Sequence, residues 1–307
     1  MIGISEIANF VPRTVRDNLS QAASFGETED FVRNRIGALK LPSMAAGEET
    51  SDLAARAVGA LLEISGKAKE AIDCLVVCTQ NPDAEGLPHT AAIVQAKCGL
   101  PKTIAAFDIS LGCSGYVYGL PAVIGFMEAT GLSNGILVTA DPYSKIVDPA
   151  DKNTALLFGD AATATLLARN PVFRIGAVLF GTDGSGAQHL QRKNGRLHMN
   201  GRQIFNFAAL NVPAQIKMLL ERERVAVEEV DRWILHQGSR YIVDSLISRM
   251  GLRPERVPIR LQTTGNTVSS SIPLILEESL RDAAHRTIVL SGFGVGLSWG
   301  SMLLHRI

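Results

Sequence analysis

The chain repeats itself once, and that repeat limits its fold more than any other feature. The run Asp73-Cys-Leu-Val-Val-Cys-Thr-Gln has a counterpart in Asp231-Arg-Trp-Ile-Leu-His-Gln, 158 residues later. The turn that carries Cys113 has one at Gly265-Asn266, 153 residues later. Gly135-Ile-Leu-Val-Thr-Ala has one at Thr287-Ile-Val-Leu-Ser-Gly, 152 residues later, and the last run, 297–307, matches the one after Phe158. Short apolar strands resemble each other, so a single match means little. Four matches in the same order, at nearly constant offset, point to a duplicated unit. The offset is far beyond the roughly 20–50 residues of a solenoid repeat. Two α/β halves facing each other, with a site between them, satisfy it. A chain of 307 residues, 46% hydrophobic, can fill two similar cores. We divide it into 1–170 and 171–307, with the crossover in the glycine-rich, partly polar stretch 171–202. No low-complexity linker separates the halves, so one continuous core is expected.

Strand-like and helix-like stretches alternate, which indicates an α/β layered fold. The spacing predicts a helix over 49–62, a buried strand over 71–79, a helix over 89–98 and a strand over 103–109. A helix follows from about Cys113, then a strand over 135–140. Phe158-Gly159-Asp160 opens a further strand to Leu167.

The remaining bulk features act by exclusion. Acids and bases cancel at 30 each, which argues against a nucleic-acid partner. No stretch reaches the roughly 18 uninterrupted apolar residues needed to span a bilayer, so no membrane partner is expected. The N-terminus reads as a first strand and not as a signal peptide. Cys74, Cys78, Cys98 and Cys113 form neither a CxxC pair nor metal-ligand spacing. No metal site is expected, and Cys74 and Cys78 read as small residues of a buried strand. Reduced thiols without a leader give the expectation of a cytoplasmic protein.

Chemistry concentrates at three points. In Phe107-Asp-Ile-Ser-Leu-Gly-Cys113-Ser-Gly-Tyr, a strand ends and a helix begins around a cysteine flanked by small residues. A helix N-terminus favours thiolate over thiol, and small neighbours admit a carbonyl close to the sulfur. The plain alternative is a buried cysteine beside a glycine-rich turn. A thiol nucleophile needs a base or charge stabiliser in reach. Of the six histidines only His236 ends an apolar strand, Trp233-Ile-Leu, at the edge where α/β sites form. Asn266 follows Gly265 at a loop-to-helix junction, where it can cap a helix or donate to a developing enolate oxygen. The repeat places Asn266 at the same topological turn as Cys113, so a pseudo-two-fold brings them together.

These segments, with Phe158-Gly-Asp, His236-Gln237, Gly265-Asn266-Thr267 and the terminal Gly-Phe-Gly-x-Gly-x-x-Trp-Gly, resemble the β-ketoacyl-acyl carrier protein synthase III family over nearly the whole chain. The resemblance implies a thiolase-like fold of two duplicated α/β halves in α-β-α-β-α layers, and a homodimer. It implies that Cys113 takes an acyl group from acyl-CoA, with the oxyanion held by the backbone N–H groups of Cys113 and Val295. His236 and Asn266 then stabilise the enolate of a decarboxylating malonyl thioester, carried by acyl carrier protein or CoA. CoA thioesters are substrates, and no tightly bound cofactor is implied.

The resemblance also assigns the entrance and the acyl pocket. Phe31 stands where the family usually has a tryptophan against the CoA adenine. Arg35 keeps a family arginine, and Lys152 replaces a second. Ser239 replaces the usual asparagine, and Tyr241 replaces an arginine associated with the carrier. Asn206 stands where a carrier-contacting lysine is common. Leu87, Phe205, Phe293 and Val295 are expected to shape the acyl tunnel. These departures weaken the case for ordinary fatty-acid initiation and fit a specialised pathway with a different primer or carrier; both pathways stay open. Acyl transfer to oxygen or nitrogen without condensation, and a non-catalytic partner subunit, remain alternatives at this stage.

Overall fold

The computed structural model describes residues 1–307. Nine strands form its main sheet: β1 (Ile2–Phe10), β2 (Cys74–Cys78), β3 (Ala105–Ile109), β4 (Asn134–Ala140), β5 (Ala162–Arg169), β6 (Phe173–Thr182), β7 (Arg232–Leu235), β8 (Thr287–Gly294) and β9 (Ser298–Arg306). Six long helices matter for the site: α1 (Thr50–Ser65), α2 (Thr90–Cys98), α3 (Gly115–Thr130), α4 (Gly201–Glu223), α5 (Arg240–Met250) and α6 (Ser271–Arg281). Each element expected in the first half forms within a few residues of its expected bounds.

The sheet order is β7-β8-β9-β6-β1-β5-β4-β2-β3. Outward from the centre, each side runs through the same pattern. β1 pairs antiparallel with β5, β5 with β4, and β4 parallel with β2. On the other side β6 pairs antiparallel with β9, β9 with β8, and β8 parallel with β7. β1 and β6 meet through the pair Ile4 and Phe173. The second half lacks a counterpart to β3. The chain there reads Val257-Pro258-Ile259, and proline has no N–H for a ladder.

The packing is layered. One core lies between α1, α2 and the sheet of the first half, with Leu53, Val58 and Val94 against Leu75 and Val138. A second contains α3 and α6, with Tyr116, Leu120, Ile272 and Ile275 packed among strands of both halves. A third lies under α4 and α5, with Phe207, Leu219 and Val243 against Trp233 and Leu303. This is the α-β-α-β-α arrangement of a thiolase-like fold. The stretch 171–202 differs from its expected role as a crossover. Most of it is structured: β6 occupies 173–182, and Leu190–Lys193 pairs with Arg196–Met199 as a hairpin beside the site. The residues Phe173-Arg-Ile-Gly-Ala-Val-Leu-Phe fill a central strand, and their glycine masks an otherwise apolar pattern.

A short backbone splice fixes the two halves at the site. Asn266 N–H donates to Leu157 O at 2.9 Å, and Gly159 N–H donates to Asn266 O at 3.1 Å. Two glycines allow the approach. A Cβ on Gly159 would lie 2.2 Å from Thr264 O, and one on Gly265, at φ +62, would lie 2.9 Å from Leu157 O. Gly159→Ala is therefore expected to lose about 1–3 kcal/mol and several degrees of Tm. Gly59→Ala, on the open face of α1 with nothing near its added methyl, should gain about 0.5–1 kcal/mol. Thermal denaturation checks both. A Gly159→Ala protein as stable as wild type would mean the splice is loose.

Candidate active site

Cys113 sits between the end of β3 and the start of α3. The backbone N–H groups of Val295 and of Cys113 itself lie near its sulfur and favour its charged form. Glycines clear the surroundings: a Cβ on Gly294 would lie 2.9 Å from Sγ, and one on Gly112 would lie 2.6 Å from Val295 Cγ1. A hydroxyl chain ties the two donor segments together. Ser298 Oγ donates to Val295 O at 2.9 Å and lies 2.6 Å from Ser114 Oγ. Ser298 has one proton and gives it to the carbonyl, so Ser114 is the donor in the second bond.

His236 follows β7, with its N–H on Ser291 O at 2.8 Å. Its ring meets Phe293 edge-on, centroids 5.3 Å apart. Nδ1 lies 2.7 Å from Ser271 Oγ, which leaves Nε2 as the ring atom for the cavity. Ser271 Oγ is also 3.0 Å from Val268 O. One hydroxyl proton serves two acceptors. When it goes to Val268 O, Ser271 accepts Nδ1–H and Nε2 is a base. When it goes to Nδ1, Nε2 carries the proton and is a donor. Asn266 is oriented through the same residue: its Oδ1 accepts Val268 N–H at 2.9 Å. The carboxamide NH2 therefore faces the other way, 3.4 Å from Gly238 O. Val268 has φ +54, a strained conformation for a β-branched residue. Its N–H holds Asn266 and its C=O borders Ser271, so one strained residue serves both partners.

All three side chains open onto one cavity of about 220 Å³. It runs from Phe31, Arg35 and Tyr241 at the mouth, past Asn266 and His236, to Cys113 and an apolar end that includes Phe158, Leu190 and Ile204. No cluster of three or more His, Cys, Asp or Glu side chains suited to a metal occurs. No helix is long and apolar enough to cross a membrane.

Residues 107–184 match the model for 3-oxoacyl-[acyl-carrier-protein] synthase III, and 220–306 match that for its C-terminal part. The β-ketoacyl-[acyl-carrier-protein] synthase III of Lactococcus lactis subsp. lactis is 33% identical over 324 residues, with 98% of each chain covered. That of Streptococcus equi subsp. zooepidemicus is 34% identical, again with 98% of each covered. The solved structure of the Thermus thermophilus synthase III superposes with a TM-score of 0.91 at 33% identity, covering 99% of this chain and 98% of its own. The chain belongs to the β-ketoacyl-acyl carrier protein synthase III family. It is a condensing enzyme of acyltransferase type.

Against the synthase III pattern, the expected site residues sort unevenly. Cys113, His236, Asn266 and Phe293 share the cavity, all nearly buried. Phe31, Arg35, Lys152 and Ser239 line its mouth. Lys152, the replacement for the second family arginine, is paired there, its Nζ 2.5 Å from Glu27. Arg35 packs its guanidinium 4.4 Å over the Tyr241 ring and has no carboxylate partner. Ser239 caps α5, accepting Ile242 N–H at 3.3 Å. Phe205 stacks on Tyr241 at 4.9 Å and so walls the entrance, not the acyl end. Val295 presents its N–H to Cys113, and its side chain is not part of the cavity wall. Leu87 is a correction: it is 87% exposed and outside the cavity of its own chain. It follows a short turn at Asp83–Gly86 that projects it outward. Tyr143 lines the cavity and was not singled out from the sequence. Its place just beyond β4, three residues past Ala140, is the kind of strand-edge position that flagged His236.

The expected thiolate is also corrected. Burial pushes the Cys113 thiol up to about 12, Asp141 adds to the rise, and the two N–H groups only partly offset it. Burial takes His236 down to about 3. Asp141 itself is raised to about 6 by burial, despite bonds from Ser269 Oγ at 2.6 Å and Gln80 N at 2.7 Å. Both shifts favour the neutral thiol and the neutral imidazole, with desolvation opposing the helix terminus. Alkylation of Cys113 by iodoacetamide, mapped by mass spectrometry, should keep accelerating from about pH 7 to about pH 10, past the ordinary thiol value of about 8.5. A plateau reached below about pH 8 would reveal a thiolate–imidazolium pair and contradict this reading.

Proposed function

We propose that the protein loads a primer from acyl-CoA onto Cys113 and condenses it with a malonyl thioester to give a 3-oxoacyl thioester. In the first half, Sγ attacks the thioester carbonyl as its proton passes to His236 Nε2. The oxyanion is held by the N–H groups of Cys113 and Val295, which lie near the sulfur. Collapse expels the CoA sulfur, which recovers the proton from His236. In the second half, the malonyl thioester loses carbon dioxide. Its enolate oxygen is held by the Asn266 NH2 and by His236 in the form that carries Nε2–H. The carbanion forms a carbon–carbon bond to the acyl carbon, and Cys113 leaves as thiolate and takes up one proton from solvent. The observation that carries this reading is the convergence of Cys113, His236 and Asn266 on one narrow cavity.

The donor direction of Asn266 supports its part in the second half. Val268 N–H occupies the carboxamide oxygen, so the NH2 is what remains for a ligand. Arg35 is the cation available for CoA phosphates at the mouth. The malonyl group arrives on acyl carrier protein or on CoA. Arg240, beside Tyr241, is paired with Asp244 at 2.7 Å, which weakens it as a carrier contact. The division into halves at 170/171 falls between β5 and β6, and the mirrored order of the sheet supports it. A homodimer, expected from the family, would give the exposed Leu87 a surface to bury against. A cytoplasmic location follows from the same reading.

Incubation with acyl-CoAs should give a single acyl adduct on Cys113 by intact mass, and Cys113→Ala should give none. Asn266→Ala should still acylate, but release carbon dioxide from a carboxyl-labelled malonyl thioester at least about a hundredfold more slowly, as for the loss of an oxyanion donor. Acylation by wild type without any carbon dioxide release would favour simple acyl transfer instead.

A further inference from the structure

Tyr143 is 3% exposed and shares the cavity with Cys113. Its ring packs against Phe158, centroids 4.8 Å apart, at the apolar end where the acyl chain would lie. Burial, then Asp141 and the Cys113 sulfur, push its ionisation well above the ordinary range, so the group is a neutral hydroxyl close to both. No protein atom hydrogen-bonds to it. The other enclosed tyrosines are satisfied: Tyr116 Oη lies 3.1 Å from Thr165 Oγ1, and Tyr118 Oη donates to Gly181 O at 3.0 Å and Trp299 O at 3.2 Å. Its oxygen is not among the fully enclosed side-chain atoms that lack a partner, so it is reached from the cavity and not sealed in the core. The hydroxyl is thus a hydrogen-bond donor open to a ligand on a largely apolar wall.

Resting on the acyl-enzyme reading above, we propose that the primer is a short acyl group bearing a neutral acceptor oxygen close to the thioester, such as a 3-oxoacyl or 3-hydroxyacyl group, held by Tyr143. The surroundings set the class. Phe158, Leu190 and Ile204 require an otherwise apolar chain. The volume of about 220 Å³ serves both the entrance and the acyl end, which keeps the chain short. Asp141 disfavours a second negative charge near the hydroxyl, and the lysine of the cavity wall, Lys152, is paired with Glu27, so a neutral acceptor suits the site better than a carboxylate. A site built around a hydrogen bond also rejects an analogue lacking that atom, because the protein group is then left unpaired.

The test compares butyryl-CoA, acetoacetyl-CoA and 3-hydroxybutyryl-CoA as acyl donors to Cys113, by kcat/KM for adduct formation. At least one oxygenated donor should exceed butyryl-CoA by about tenfold or more in wild type, and Tyr143→Phe should bring that ratio to about one. The Tm of Tyr143→Phe should equal or exceed that of wild type, since no protein hydrogen bond is lost. A butyryl preference in wild type would overturn the proposal. So would an oxygenated preference that survives Tyr143→Phe, and so would a fall in Tm, which would show a structural partner. An equal loss for all three donors would place the hydroxyl on the thioester carbonyl and would also overturn it. No adduct from any donor, acetyl-CoA included, would instead overturn the acyl-enzyme reading on which this rests.

Discussion

The site depends on a backbone splice only a few atoms wide. Leu157 and Gly159 belong to the first half of the chain and Asn266 to the second, and two hydrogen bonds join them. They fix Asn266, and through it Val268 and Ser271, relative to the sheet that delivers Cys113. Glycine is required at 159 and 265 because any Cβ would strike backbone oxygen. The same splice carries Phe158 into the cavity and turns Asp160 toward Met44 N–H at 2.9 Å. Catalytic geometry and the union of the halves are thus one structural problem. That explains why a conspicuous Phe-Gly-Asp segment contains no catalytic side chain.

Desolvation governs the chemistry inside this frame. Cys113, His236 and Asp141 all sit where charge is costly, and each shifts toward its neutral form. A stored thiolate would react with any electrophile that entered. A neutral pair holds the proton until a thioester carbonyl occupies the two N–H groups, and then needs to move it only within the cavity. Ser271 suits both half-reactions, since rotation of one hydroxyl lets His236 act as base or as donor without adding net charge.

Much of this was legible in the sequence, and the failures have physical causes. Strand ends and tight turns are local, so Cys113, His236 and Asn266 could be found from spacing and from the repeat. The thiol's ionisation was misread because it depends on enclosure and on Asp141, which adjoins it only in three dimensions. The partner of Lys152 was not legible, because Glu27 lies 125 residues away in the chain. Leu87 and Phe205 are apolar residues whose side of the wall is set by a turn and by stacking on Tyr241. Tyr143 escaped notice because its interest lies in a missing bond, and whether a hydroxyl is satisfied is a property of the fold. The unformed counterpart of β3 was written plainly as Pro258.

The central claim is that the thiol of Cys113 becomes an acyl thioester whose oxygen lies between two backbone N–H groups, with His236 and Asn266 left free for the second substrate. A crystal structure of the protein acylated on Cys113 tests it directly. The account predicts the acyl oxygen within about 3 Å of both Cys113 N and Val295 N, with the acyl chain running toward Phe158 and with His236 Nε2 and the Asn266 NH2 facing open space. An acyl oxygen held instead by His236 or Asn266, with Val295 N–H turned away, would contradict it.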